Sequence, residues 1–247
     1  MVLVTGGRRG IGRAVAERFL AGGWAMAIND LDAPGIEEAV GSLSAGGADV
    51  SGHIADVGDE AQVARMIDDV YARHGRLDAL VNNAGTMRFA PFVRCSPGEL
   101  EATLRTNLVG AFHCSQRVAN RWISAGTGGS IVMISSVSGH QARPGHAVYG
   151  ASKAGLEMLA KVAAMELAPL GIRVNCVAAG GPIVTEGVKA HVSEPDFADR
   201  IRVQNPMQRP GAPAEVAGAV YFLSSPEAAY VTGAVLTVDG GASLGRQ

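Results

Sequence analysis

The stretch TGGRRGIG at residues 5–12 decides the fold, because it is a glycine-rich turn between two regular elements. It follows the apolar run MVLV (1–4) and opens the amphipathic stretch GRAVAERFLAGG (12–23). A glycine turn between a strand and a helix places backbone N–H groups and the helix amino terminus against a phosphate. Gly6 and Gly10 allow the backbone to approach the ligand closely, and Gly12 lets the helix pack tightly on the strand. This context favours a dinucleotide pyrophosphate site over a plain tight turn.

Short apolar runs alternate with helical patterns along the rest of the chain. The further runs are WAMAI (24–28), ADVSGHI (48–54), LDALV (77–81), SIVMIS (130–135), IRVNCV (172–177) and VLTV (235–238). Continuous apolar strands belong to a parallel sheet that is covered on both faces. The sequence therefore predicts an α/β protein, a single-domain Rossmann fold over residues 1–247 with a doubly wound seven-stranded parallel sheet and helices on both faces.

One segment interrupts this alternation, the proline-containing stretch from Thr185 to Pro213. A long irregular segment in a compact domain is either a linker or a functional lid. It follows a late strand, at the edge of the sheet where ligands bind in open α/β proteins. We therefore predict a substrate lid over about residues 185–213.

The composition narrows the range of partners and compartments. A formal net charge of −2 argues against nucleic-acid and anionic-membrane partners, which favour basic surfaces. Cys95, Cys114 and Cys176 are widely spaced, so neither a disulfide framework nor a metal site is expected. No targeting or membrane-spanning segment is evident, and we expect a cytoplasmic protein with no membrane association.

Three motifs identify a family. The pattern TGxxxGIG, the sequence NNAG at 82–85 and the spacing YxxxK at 149–153 together resemble the short-chain dehydrogenase/reductase (SDR) family. The resemblance extends from Val2 to the carboxy-terminal VTGAVLTVDGG (231–241). It implies an NAD(P)-dependent oxidoreductase that transfers a hydride between the cofactor and a secondary alcohol or ketone, and it implies a homotetramer.

The spacing of Tyr149 and Lys153 has a chemical use of its own. Residues four apart share one face of a helix. A tyrosine hydroxyl has an ordinary pKa near 10, and a nearby lysine ammonium would lower it toward the range useful for acid–base catalysis. The resemblance completes a catalytic tetrad with Asn107, which holds a water in a proton relay, and Ser136, which binds the substrate oxygen. Ser135, one residue further from Tyr149, does not match the family spacing.

The resemblance also assigns cofactor contacts. In the family, the residue that matches Lys153 holds the nicotinamide ribose, and the residues that match the adenine, ribose and phosphate contacts come from six segments of the chain. The predicted set is Gly6, Arg9, Gly10, Ile11, Gly12, Asp30, Leu31, Asp56, Val57, Asn83, Ala84, Gly85, Tyr149, Lys153, Ile183 and Thr185.

Two opposing features bear on the choice between NAD and NADP. Asp30, at the end of the second strand, can accept hydrogen bonds from the adenosine ribose and would repel a 2′-phosphate. Arg9 occupies a position where NADP-dependent members often carry an arginine, and its side chain could offset the repulsion of a 2′-phosphate, pair with Asp30 or lie over the adenine. Arg8 is expected to face solvent. We predict NAD as the favoured cofactor, with NADP possible.

The chain departs from the family pattern after the sixth strand. It reads NCVAAGGPIVT (175–185), with Ala179 in place of a proline and one additional residue before the threonine. This departure affects the placement of Ile183 and Thr185. Three histidines, His140, His146 and His191, could reach a substrate, but loop polarity is the simpler interpretation of each. Met87 and Gln141 are candidates for the substrate pocket by position alone.

Three function classes remain open at the level of the sequence. The first is the hydride-transferring enzyme, including an NADPH-dependent ketoreductase similar to 3-oxoacyl-carrier-protein reductases. The second is a non-catalytic dinucleotide-binding regulator, which would be expected to lose the Tyr149/Lys153 pair. The third is a dehalogenase-like relative, which would be expected to lose the glycine turn.

Overall fold

A parallel sheet of seven strands forms the centre of the protein in this computed structural model, which describes residues 1–185, 201, 203 and 205–244. The strands are β1 (Val2–Thr5), β2 (Met26–Asp30), β3 (Val50–Ile54), β4 (Ala79–Asn82), β5 (Gly129–Ser136), β6 (Ile172–Ala179) and β7 (Val235–Val238). Their order is β3-β2-β1-β4-β5-β6-β7, and every neighbouring pair is parallel. The predicted seven-stranded parallel sheet is confirmed.

Helices cover both faces of the sheet. They are α1 (Gly10–Ala21), α2 (Ala33–Leu43), α3 (Glu60–His74), α4 (Pro97–Leu104), α5 (Gly110–Ala125), α6 (Ala147–Leu167) and α7 (Pro213–Ser224). Helices α1, α2 and α7 pack in one apolar cluster, and α3, α5 and α6 pack in another. Because side chains alternate along a strand, Leu3 enters one cluster while Val2 and Val4 enter the other.

The sheet order creates a crevice between β1 and β4. From β1 the chain proceeds to β2 on one side, and from β4 it proceeds to β5 on the other. Ligands bind in doubly wound folds at this point, beyond the carboxyl ends of the strands. Thr5, at the end of β1, closes the back of the crevice, since its Oγ1 accepts hydrogen bonds from the N–H groups of Asn83 and Ala84, both at 3.0 Å.

The loop that departs from the family pattern has its own anchors. Ala179 is the last residue of β6 and pairs with Ser136 of β5 and Val238 of β7. Gly181 then adopts a φ of +65°, a conformation that L side chains rarely take. Ile183 forms an isolated bridge with Gly211. The loop therefore turns at Gly181 and is held at Ile183 by the segment that precedes α7.

The predicted lid at 185–213 falls partly outside the described residues, which omit 186–200, 202 and 204. The described end of the segment is tied to the sheet, because Asn205 donates from Nδ2 to the carbonyl oxygen of Asp239 at 3.2 Å. The organisation of residues 1–247 as one domain remains a prediction. No helix among the described residues combines the length and apolarity needed to cross a membrane.

Candidate functional site

The phosphate loop has the backbone shape that its glycines predict. Gly6 has a φ of +61° and Gly10 a φ of +59°. At Gly12, a Cβ would overlap the carbonyl oxygen of Gly6, so the first turn of α1 passes directly against the loop. A Cβ on Gly10 would lie 3.5 Å from Cγ2 of Thr185, which places Thr185 beside the predicted phosphate position.

Helix α1 begins without a side-chain cap. Asp32, Asp59 and Ser96 cap the amino termini of α2, α3 and α4, whereas Arg9, the residue before α1, makes no capping hydrogen bond. The first N–H groups of an uncapped helix need another acceptor. The amino terminus of α1 therefore fits a pyrophosphate, which would accept these hydrogen bonds and be stabilised by the helix dipole.

The side chain of Asn83 adds two hydrogen bonds between the two sides of the crevice. Asn83 donates from Nδ2 to the carbonyl oxygens of Thr5 and Gly6, at 3.0 and 2.9 Å. The glycine turn and the loop after β4 are consequently fixed relative to each other.

At the end of β2, the prediction that Arg8 faces solvent is wrong. The Arg8 side chain is only 24% exposed, and it lies between two carboxylates. Its Nε is 3.8 Å from Asp30 Oδ2, and its Nη1 is 3.3 Å from Asp32 Oδ2. Arg9, in contrast, is exposed and lines the cleft. The arginine that approaches Asp30 is therefore the one that the sequence interpretation set aside.

The predicted adenine contact, Asp56, already has partners within the chain. Its Oδ1 accepts from the Gly58 N–H at 2.9 Å, and its Oδ2 accepts from Arg105 Nη2 at 2.9 Å. Arg105 also donates to the Gly58 carbonyl oxygen at 3.2 Å. The sequence interpretation missed Arg105, since nothing in the spacing of residues 56 and 105 indicates their contact.

Tyr149 and Lys153 project from the first turns of α6 into the same cleft. The Lys153 Nζ lies 5.7 Å from the centre of the Tyr149 ring and donates to the carbonyl oxygen of Ile134 at 2.8 Å. Lys153 is only 5% exposed, so the ammonium is held in a fixed position at the carboxyl end of β5.

The protonation of this pair differs from the prediction. Burial raises the pKa of Tyr149 above its ordinary value, and a hydrogen bond with the Ser136 side chain partly offsets this effect. Burial also lowers the pKa of Lys153 to about 8, against the opposing influence of Cys176 and Glu157. The pKa of Tyr149 is thus raised and not lowered as predicted, because desolvation dominates.

Asn107 lies in a five-residue π-helical turn, Arg105–Val109, between α4 and α5. Its Oδ1 accepts from the Thr86 N–H at 2.8 Å, and its Nδ2 donates to the Thr86 carbonyl oxygen and to Ser152 Oγ, both at 3.0 Å. Turns of this kind are rare and frequently occur at functional sites. The hydrogen bonds of Asn107 join the loop after β4 to helix α6.

Most of the predicted site residues line one cleft of about 470 Å³ at the carboxyl edge of the sheet. Those that line it are Gly6, Arg9, Gly10, Ile11, Asp30, Leu31, Asp56, Val57, Asn83, Ala84, Gly85, Tyr149, Lys153 and Thr185. Four others, Gly12, Asn107, Ser136 and Ile183, do not line it. Gly12 packs on the loop, Ile183 packs against the core, and Asn107 and Ser136 are buried.

A larger hollow of about 810 Å³ lies at the opposite edge, among residues that precede the strands. Its charged side chains already have partners, as in Arg73–Asp49 and Arg76–Asp78, or donate to backbone carbonyl oxygens, as Arg173 does. None of the predicted site residues reaches it, so we place the functional site in the smaller cleft.

Two histidines have more specific surroundings than loop polarity implies. The His146 ring stacks on Phe89 with 4.4 Å between centroids, and its Nδ1 lies 3.0 Å from Ser138 Oγ. Phe89 also packs edge-on against Tyr149 at 5.8 Å. His140 contacts the buried Glu157. No sequence spacing signals these contacts, while His191 lies outside the described residues.

Further residues of the cleft wall were not predicted as cofactor contacts. They are Asn29, Ala55, Thr86, Met87, Thr106, Ile134, Ser135 and Ala179, of which Met87 was a substrate-pocket candidate. Asn29 is an example of a wall residue with a structural contact that the sequence does not reveal. It is buried, and its Nδ2 donates to the carbonyl oxygens of His53 and Ala55 on the neighbouring strand and just after it. Among the described residues, no three His, Cys, Asp or Glu side chains are arranged to hold a metal ion.

Comparisons with known proteins find relatives that match nearly the whole chain. The profile of the family described as Enoyl-(Acyl carrier protein) reductase matches residues 6–243. The 3-oxoacyl-[acyl-carrier-protein] reductase FabG of Staphylococcus aureus is 39% identical over 240 residues, which are 97% of this chain and 96% of the relative. An uncharacterized oxidoreductase of Escherichia coli, YgfF, is 38% identical over 98% of this chain and 99% of its own.

A solved structure extends the likeness to three dimensions. Gluconate 5-dehydrogenase from Burkholderia cenocepacia, in complex with NADP and tartrate, has a TM-score of 0.92 and 36% sequence identity. The alignment covers 99% of this chain and 95% of that structure.

Proposed function

Because the chain belongs to the short-chain dehydrogenase/reductase family and is an NAD(P)-dependent oxidoreductase, we propose that Tyr149 is the acid–base group for hydride transfer between a secondary alcohol and its ketone. One observation carries this proposal. The cleft that begins at the uncapped amino terminus of α1 contains Tyr149 and Lys153 at its other end.

The described residues fit a nicotinamide dinucleotide. The amino terminus of α1 and the glycine turn would hold the pyrophosphate, Asp30 the adenosine ribose, and Lys153 the nicotinamide ribose. When bound, the cofactor supplies or accepts the hydride. The sequence prediction for each of these contacts stays a prediction.

The chain's own groups would handle the proton and the substrate oxygen. The raised pKa of Tyr149 keeps its hydroxyl protonated near neutral pH, which is the form that donates a proton to a developing alkoxide. Ser136, whose side chain lies near enough to Tyr149 to lower the pKa of its hydroxyl, would hold the same oxygen. The Lys153 ammonium would stabilise the negative charge left on the tyrosine oxygen.

Replacing Tyr149 by phenylalanine tests this role. The change removes only the hydroxyl, so we expect turnover to fall at least about 100-fold while the cofactor still binds. Steady-state reduction of a ketone panel, together with cofactor titration of the same variant, separates the two effects. Unchanged turnover in the variant would exclude Tyr149 as the proton donor.

For the cofactor, we propose NAD on the basis of Asp30. Its Oδ1 accepts from the Leu31 N–H at 2.8 Å, which directs the carboxylate into the cleft. A 2′-phosphate beside this carboxylate would be repelled by a few kcal/mol at an intermediate dielectric. Arg8 shares its charge between Asp30 and Asp32, so it is less available to a phosphate. Two observations favour NADP instead. Gluconate 5-dehydrogenase was solved with NADP, and Arg9 is exposed.

Titration of the protein with NADH and with NADPH decides between them. We expect NADH to bind at least about tenfold more tightly, which corresponds to about 1.4 kcal/mol, and we expect Asp30→Ala to lose this preference. Asp68→Ala is the matched control, because it changes the net charge equally but lies away from the cleft. Tighter binding of NADPH by the unmodified protein would overturn the assignment.

A second candidate function rests on the similarity to FabG. In this case the substrate would be a 3-oxoacyl group carried by an acyl-carrier protein, and the cofactor would be NADPH. Comparing kcat/KM for a 3-oxoacyl thioester with that for small hydroxy acids and sugar acids distinguishes the two. A preference for the thioester of about 100-fold or more would favour the ketoreductase.

A further inference from the structure

One face of α6 makes three consecutive contacts with the end of β5. Tyr149, Lys153 and Glu157 are one helical turn apart and therefore share that face. Tyr149 lies near the side chain of Ser136, which lowers the pKa of the tyrosine hydroxyl, and Lys153 donates to the carbonyl oxygen of Ile134. Glu157 accepts from Oγ of the residue between them, Ser135, at 2.8 Å. The two residues of the proposed reaction thus have a third neighbour on the same face.

The carboxylate of Glu157 is in a site built to hold it. The residue is only 6% exposed, and its Oε1 contacts both Ser135 Oγ and, at 3.3 Å, the Nδ1 of His140. A Cβ on Gly139 would lie 2.8 Å from the same oxygen, so the absence of a side chain there leaves room for it. A buried carboxylate is costly unless it is hydrogen-bonded and faces a positive charge.

Lys153 supplies that positive charge. The titratable groups that face it are Tyr149 and Glu157 on α6 and Cys176 on β6, while His140, on the turn after β5, contacts Glu157. Burial raises the pKa of the Cys176 thiol to about 12, so Cys176 is neutral where Lys153 titrates. Tyr149 is also protonated there. Among the described residues around Lys153, Glu157 is therefore the carboxylate that favours its charged form.

We propose that Glu157 is a positioning residue of the reaction, which keeps Lys153 charged and fixes Ser135, and with it the adjacent Ser136, against α6. The inference rests on the proposed function, since Glu157 would affect the reaction only through the positions and charge of Lys153 and Ser136. Glu157 itself does not line the cleft, so it acts on the site through these two residues.

The direct test measures the titration of Lys153 in the cofactor-free protein. The chain has three lysines, Lys153, Lys161 and Lys189, so NMR of ¹³C-labelled lysine side chains can resolve each one. We expect Glu157→Gln to lower the pKa of Lys153 by about one unit, because an opposite charge has been removed from a buried neighbour. Glu166→Gln is the matched control, an exposed glutamate on the same helix, and it should leave this titration unchanged.

The pH dependence of turnover should shift in the same direction as the pKa of Lys153, toward lower pH. We expect the alkaline limb of kcat in Glu157→Gln to move down by about one pH unit, since Lys153 loses its proton earlier. Ser135→Ala removes the hydrogen bond but keeps the carboxylate, so it should lower kcat without moving this limb. It also tests the proposal if Glu157→Gln fails to fold.

The possible outcomes separate the two proposals. An unchanged Lys153 titration in a folded Glu157→Gln would overturn the role of Glu157, whatever the activity of the variant. An alkaline limb that moves in Ser135→Ala would overturn the electrostatic part of that role. Full turnover in Tyr149→Phe would instead overturn the proposed function and leave the Lys153 titration as it was.

Discussion

Gly12 lies where the first turn of α1 comes closest to the phosphate loop. Nearby atoms of Gly6 and Asn83 occupy the space that a Cβ at position 12 would take. Because the nearest of these atoms belongs to the backbone, the clash cannot be relieved by a side-chain rotation. The shape of the phosphate loop therefore depends on the missing side chain at this position.

We predict that Gly12→Ala destabilises the protein by about 2 kcal/mol and weakens cofactor binding, because the loop must move away from α1. Urea unfolding and NADH titration measure the two effects. Gly41→Ala in α2 is the control, since a Cβ there meets nothing within 4 Å. It should stabilise the protein by about 0.5–1 kcal/mol through the better helix propensity of alanine. Wild-type affinity in Gly12→Ala would contradict this account of the loop.

The buried Lys153 makes the stability of the protein depend on pH. Its pKa falls from 10.5 to about 8 on folding. Between these values the unfolded chain binds more protons, so the contribution of Lys153 to stability rises with pH across that window. Below the folded pKa both states carry the charge, and the folded protein bears the full cost of burying it.

Lys153→Met removes this dependence, and we predict its effect by comparison with the wild-type protein. The free energy of unfolding of the variant, relative to wild type, should fall by about 1 kcal/mol between pH 7 and pH 9. Denaturant unfolding at both pH values gives the difference. The contributions of the buried cysteines to the pH dependence cancel, because the cysteines are present in both proteins. Lys161→Met, at an exposed position of the same helix, should show no such change with pH. A constant difference would mean that Lys153 is charged throughout this range.

At the scale of elements, the π-helical turn Arg105–Val109 connects the two ends of the cleft. Arg105, its first residue, holds Asp56 and Gly58 on the predicted adenine side. Asn107, two residues later, holds Thr86 and Ser152 beside helix α6. A substitution at either end of the turn should therefore alter the position of the residues at the other end.

Removing the Asn107 amide tests how much this turn contributes. Asn107→Ala leaves the Thr86 N–H and carbonyl groups without their partner, so we expect a loss of about 2 kcal/mol in stability and a marked fall in kcat. Ser96→Ala, which removes the capping box of the preceding helix α4, should cost about 1 kcal/mol and leave kcat unchanged. If Asn107→Ala turned over at the wild-type rate, the turn would be structural only.

The elements also show which features the sequence could predict. The strands and the glycine turn are local patterns, so their positions were predicted to within a few residues. Arg8 and Arg9 are adjacent in one turn, and only the path of the folded chain decides which of them meets Asp30. The contacts of Glu157 with Ser135 and His140 span 22 and 17 residues, and no local pattern encodes them. The pKa of Tyr149 depends on how deeply the ring is buried, which spacing alone cannot give.

At the scale of the whole molecule, two surfaces expose more apolar side chains than a monomer requires. On α6, Met158, Val162 and Met165 project away from the sheet at helical spacing, and Met165 is 81% exposed. At the other surface, Leu236 of β7 and Phe222 of α7 are exposed beside the last strand of the sheet. Contiguous apolar surface of this kind marks contacts between proteins. Two separate surfaces of one chain are compatible with the predicted homotetramer, since each could form a twofold interface.

We predict that the wild-type protein is a tetramer at micromolar concentration and that Met165→Glu converts it to dimers. A carboxylate at this position would be buried against its own copy across a twofold axis, and its desolvation would cost several kcal/mol per interface. Sedimentation velocity measures the mass of each species. Ala45→Glu is the control, because the substitution adds the same charge at an exposed residue that follows α2. Dimers in Met165→Glu that still bind NADH would show that the cofactor cleft is complete within each chain. A wild-type monomer, or a Met165→Glu tetramer, would exclude α6 as an interface.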